Sequence, residues 1–139
     1  MKQNNRQTEM REIVTAFVLR DDGKPILTHV FDSIKEFKRK IELMPRYKEI
    51  AEKNDAFIAE RKLIIDRLIE AYTVKHENKK ESLNGKPLPE EIKLDLIDEI
   101  EKILSTKVDI TTFKFTDDEL EKSEISISEM TKIINFINT

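Results

Sequence analysis

The chain has 139 residues, 25 basic and 28 acidic side chains for a net charge of −3, two glycines and no cysteine. That length suits one domain with a modest core. The missing cysteines exclude a disulfide framework, a thiolate metal site and a cysteine nucleophile.

No stretch of 18 apolar residues is available to cross a membrane. A chain free of cysteine fits a reducing, cytoplasmic setting. The 19 isoleucines, 18 lysines and 18 glutamates favour helix, and the Ile/Lys/Asn bias would suit an AT-rich genome, bacterial or phage.

The start, "MKQNNRQTEMRE", is polar. Residues 1–12 are expected as a frayed tail, and residues 13–139 as a single α+β domain. "VTAFVLRDDGKPILTHVF" (14–31) then reads as a β-hairpin. Ile13 to Leu19 is rich in β-branched and aromatic residues. "RDDGKP" turns the chain, with Gly23 suited to a left-handed position. Pro25 sits best where the returning strand begins. Alternation leaves both faces of each strand apolar, so such a hairpin must be covered on two sides.

Ser33 and Glu36 have the spacing of a capping box. Ile34, Phe37, Ile41 and Met44 recur at helical intervals as a stripe, until Pro45 ends or kinks the segment. Pro45 would also open a second helix, from Arg46 to about Lys79. Its apolar stripe is Tyr47, Ile50/Ala51, Phe57/Ile58, Ile64/Ile65, Leu68 and Ala71/Tyr72. Asn54 and Arg61 interrupt that stripe as register-setting residues do in paired helices. A partly exposed long helix gives the same pattern.

"KHENKKESLNGKPLP" (75–89) reads as a loop. Pro89 then opens a helix with Ile92, Leu96, Ile100, Ile103 and Leu104 on one face, making an antiparallel helical hairpin with its predecessor. Residues 108–115 alternate again and predict a third strand beside the N-terminal hairpin. Thr116 with Glu119, and Ser126 with Glu129, form two further capping boxes. Each is flanked by a hydrophobic staple, Phe115–Leu120 and Ile125–Met130, so two short helices should close the chain.

Chemistry is sparse. His29 and His76 lack the spacing of zinc ligands. Asp95, Asp98, Glu99 and Glu101 are close in sequence, but such runs on helices are usually solvated. No catalytic, cofactor-binding or metal-binding residue is assigned.

Residues 33–53 carry seven basic and four acidic groups (+3), whereas 89–129 carry five basic and thirteen acidic (−8). Lys35, Lys38, Arg39 and Arg46 are therefore the candidate phosphate contacts of an alternative, nucleic-acid-binding reading. The interleaved Glu36, Glu42, Glu49 and Glu52 argue against it.

The favoured expectation is a non-enzymatic protein that binds another protein or itself, as an adaptor, assembly factor or regulator; the third reading is an enzyme whose site is assembled only in the fold. Its expected interface runs along the long helix through Tyr47, Ile50, Asn54, Phe57, Ile58, Arg61, Ile65 and Leu68.

Overall fold

A computed structural model describes residues 5–75 and 89–137. The expected loop at 76–88, with His76, lies outside them. Among the described residues the architecture is mostly helical α+β, with six helices and one two-stranded antiparallel sheet.

Asn5–Glu9 (β1) is a strand rather than a frayed tail. It pairs antiparallel with Lys107–Thr111 (β2), Asn5 opposite Thr111 and Glu9 opposite Lys107. The pairing continues as the Met10 amide donates to the Thr106 carbonyl at 2.9 Å. β1 reads "NRQTE" and is polar. It is held by its partner strand and by burial of Thr8, not by intrinsic preference. The strand expected at 108–115 is thus present only over 107–111, and it pairs with the chain's start.

The hairpin expected over 13–31 is a correction. Met10–Ala16 (α1) and Ile26–Asp32 (α2) are helices. The turn between them is as expected: Gly23 takes φ +84° and Leu19 bridges Pro25. The doubly apolar pattern that no strand could satisfy suits helices instead. Met10, Ile13 and Ala16 recur every third residue, and Ile26, Leu27 and Val30 share one helical stripe, all buried. Tertiary packing overrides the strand propensity of the β-branched residues. The chain itself therefore covers this segment.

Phe37–Lys75 (α3) is one helix of 39 residues with Pro45 inside it. Pro45 removes the amide that would bond the Ile41 carbonyl. Both residues face solvent, where water can take that place, while Leu43 and Ile50 anchor the opposite side in the core. Ser33 does not cap this helix. It closes α2, its hydroxyl donating to the Val30 carbonyl at 2.7 Å.

Glu90–Leu104 (α4) returns antiparallel along the C-terminal half of α3, as Lys75–Glu91 (2.6 Å) and Arg67–Glu99 show at successive levels. The two form an arm. Its apolar contact is thin, because Leu63, Val74, Leu94 and Ile97 remain exposed.

The base of the molecule is closed by Asp117–Ser123 (α5), Ile127–Lys132 (α6) and a 3₁₀ turn at Ile134–Phe136. Both capping boxes are present. In each, the glutamate has a second task. Glu119 accepts from the Thr116 amide (2.8 Å) and from Arg39 Nε on α3 (2.7 Å). Glu129 accepts from the Ser126 amide (2.9 Å) and from Arg20 Nε in the α1–α2 turn (2.6 Å). A local cap thereby becomes a long-range tie. The core beneath is one cluster that includes Ile13, Leu27, Val30, Leu43, Ile50, Ile110, Phe115 and Phe136.

Candidate interaction surface

A continuous α3 changes the meaning of the apolar residues on either side of Pro45. A helix turns about 100° per residue, so the thirteen steps from Phe37 to Ile50 leave them about 140° apart. They cannot share a face. Leu43, Ile50 and Phe57 point inward with 2%, 0% and 4% exposure. Phe37, Ile41 and Met44 point outward with 75%, 50% and 49%.

The stripe Ile34, Phe37, Ile41 and Met44 is therefore left in solvent, except Ile34, which lies before α3 and is buried. Phe37, Ile41 and Met44 sit at i, i+4 and i+7, one above another. Scattered apolar residues on a surface need no explanation, but a run on one helix face does.

The eight residues expected as an interface do not form one exposed surface in the chain. Tyr47 is half-buried, stacks on Phe31 at 5.0 Å and shares a 2.7 Å hydrogen bond with Thr28. Ile50, Asn54 and Phe57 are core. Arg61 is exposed and lies over the outer edge of that core, its guanidinium 5.9 Å from the Phe57 ring centre. Ile58 is exposed, and Ile65 and Leu68 are half-buried on the arm, Leu68 lining a small cleft with Ile92.

Asn54 is the odd member. It is 8% exposed, and no side-chain hydrogen bond reaches it among the described residues. The apolar face that is free was legible in the sequence as Phe37, Ile41 and Met44. That it opposes the Leu43–Ile50–Phe57 face follows only once the helix runs unbroken through Pro45.

Among the basic candidates, Lys35 and Lys38 are exposed and Arg46 is half-buried. Arg39 is committed elsewhere. It clamps Glu119 through two nitrogens, reaches Glu42 at 3.2 Å and donates to the Lys114 carbonyl at 2.6 Å. The Glu119 hydrogen bond raises its pKa further. With Arg39 taken, the four do not form a free phosphate-binding row.

Other sites offer little chemistry. A hollow of about 470 Å³ between the α1–α2 turn and α6 contains Arg20, whose guanidinium is engaged by Glu129, Asp22 and His29. Because arginine only donates, His29 Nδ1 accepts, and its Nε2–H donates to the Ser123 carbonyl at 2.8 Å. His29 is thereby a structural bridge between α2 and the end of α5.

Glu99, Glu101 and Asp98 are each paired with a basic side chain, Arg67, Arg11 and Lys102. Among the described residues no group of three metal-ligating side chains converges, and no helix is long and apolar enough to cross a membrane. No family model matches the chain, and comparison with curated proteins and with solved structures finds no significant match.

Proposed function

We propose that the protein acts by binding another polypeptide through the outer face of α3, as an adaptor, assembly factor or regulator rather than as a catalyst. The observation that supports this is the exposure of Phe37, Ile41 and Met44 on one side of a rigid helix whose other side is anchored in the core. Phe37 is three-quarters exposed and Ile41 and Met44 about half exposed, so leaving them uncovered forgoes on the order of 1–2 kcal/mol each relative to full burial. A partner that covers them recovers that energy. The rim supports the same reading, since Lys38, Lys48 and Glu52 are exposed around the patch, as polar residues are around interface centres.

The test is a paired affinity capture from the native host, with wild-type chain and Ile41→Asp as baits. Circular dichroism first establishes that both are folded. The expected result is a polypeptide, a further copy of the chain included, retained by wild type and lost with Ile41→Asp. Equal retention by both baits would remove the outer face from the reading.

A further inference from the structure

We propose that a hollow at the Asn5–Thr111 end of the sheet binds a small carboxylate carried on an apolar group, with Arg6 taking the charge. The hollow measures about 380 Å³, within the range of pockets that take small molecules. Arg6 and Lys114 supply its charge, and Phe113, Ile134 and Ile137 its apolar wall.

The register of the sheet aims Arg6 into this space. Arg6 pairs with Ile110, and directly paired residues share a face, so its side chain leaves on the side where Ile110 and Thr8 are buried. There the bridge between Phe115 and Ile137 brings Phe113 and Lys114 beside Ile134. Phe113 stacks on the buried Phe136 ring at 5.1 Å and meets Phe115 edge-on at 5.6 Å, so the core fixes the wall. Ile134 stays 54% exposed.

Arg6 is held in place but not neutralised. Its guanidinium lies 5.9 Å from the Phe136 ring centre, and one nitrogen donates to the Asn135 carbonyl at 3.4 Å. Most of its five N–H donors therefore meet no protein acceptor among the described residues. Arg20 and Arg39, also half-buried, each bond a glutamate. No carboxylate among the described residues pairs with Arg6 or Lys114. The neighbouring acids are engaged or averted. Glu49 accepts from the Thr111 amide and hydroxyl, Glu12 from Thr8, and Glu119 from Arg39 and Thr116. Glu9 and Asp109 alternate to the other face of the sheet.

This combination selects a ligand class. A planar guanidinium matches a carboxylate through two parallel N–H···O bonds, and the exposed Lys114 adds a second positive charge at the rim. A wholly polar anion would leave Phe113, Ile134 and Ile137 uncovered. A neutral apolar molecule would desolvate the guanidinium without pairing it. A carboxylate with a short alkyl tail satisfies both parts.

Isoleucine-methyl NMR titration with acetate, hexanoate, octanoate and hexanol tests this. Affinity should rise from acetate to octanoate, with the Ile134 and Ile137 methyl signals moving most. Hexanoate should bind about tenfold or more tighter than hexanol, the worth of a charge-assisted pair. Arg6→Gln should erase that preference, and Lys114→Gln should weaken hexanoate only a few-fold. Circular dichroism establishes that both variants are folded; should Arg6→Gln unfold, the hexanoate–hexanol ratio on wild type decides. Equal binding of hexanol and hexanoate, or a folded Arg6→Gln that keeps the preference, removes Arg6 as the anchor and overturns the proposal. So does acetate binding as tightly as octanoate, or no response at Ile134 and Ile137. None of these results touches the outer face of α3.

Discussion

The first half of α3 carries two apolar faces of similar composition, each with a phenylalanine and large aliphatic residues, and their surroundings are opposite. Leu43, Ile50 and Phe57 are packed beneath α1, α2 and the sheet. Phe37, Ile41 and Met44 face water. Amphipathic periodicity says that a stripe wants cover; it does not say which of two stripes the chain covers itself. The choice is made by long-range packing, here with help from ties such as Arg39–Glu119 that fix the helix's rotation against the base.

The largest expected effect comes from making one deletion on each face. Phe57→Ala should cost about 3–5 kcal/mol, the range for truncating a buried ring. Phe37→Ala removes the same atoms from an exposed position and should stay within about 0.5 kcal/mol. Urea denaturation at a concentration low enough to hold the chain monomeric measures both. Similar costs at the two positions would mean that the faces are not distinct in the monomer.

The basic triplet at 38–40 sharpens the same contrast with charge. Lys38 is exposed, whereas Arg39 reaches Glu119 from the inner side. Arg39→Ala should cost about 1–2 kcal/mol, as charge-assisted hydrogen bonds do when little exposed, and Lys38→Ala next to nothing.

The tie also has a pH signature. Burial pushes the Glu119 carboxyl upward, but Arg39 and the Thr116 amide together hold it below the usual glutamate range. On acidification the unfolded chain therefore takes up this proton first. The contribution is complete above about 4.5, the ordinary glutamate value, and fades as the pH falls through the lower folded value. The stability difference between wild type and Arg39→Ala should accordingly shrink below that point; a difference constant with pH would remove Glu119 as the cause.

Much of the architecture could be read from sequence because local chemistry carried it. The capping boxes at Thr116–Glu119 and Ser126–Glu129 satisfy their own amides and needed no tertiary context. The antiparallel return of α4 followed from two amphipathic segments around a turn-rich stretch. The N-terminal third misled for two reasons. "IVTA" and "ILTHVF" have strand composition but helical spacing, and their burial against α3 selected the helix. "NRQTE" has no strand signal, and only the distant Lys107–Thr111 gives it one. At the candidate site every residue was visible, yet Pro45 read as a break where the helix runs through. With the helix continuous through Pro45, Phe37, Ile41 and Met44 fall opposite Leu43, Ile50 and Phe57 and are exposed.

Asn54 offers the finest distinction between the faces. It occupies the inner side between Ile50 and Phe57, buried and without a side-chain hydrogen bond among the described residues. A buried amide left unpaired costs about 1–3 kcal/mol of desolvation, so Asn54→Leu should raise stability by about 1 kcal/mol after allowance for its slightly larger shape. Were Asn54 a register device at an intermolecular surface, the same change would loosen association. Facing inward, it should leave the association constant as it is and shift only the urea midpoint. Asn54→Leu carried through both measurements separates the possibilities: a stabilised chain with unaltered association assigns Asn54 to the core. Altered association with little change in stability would put the interface on the Ile50–Phe57 side after all.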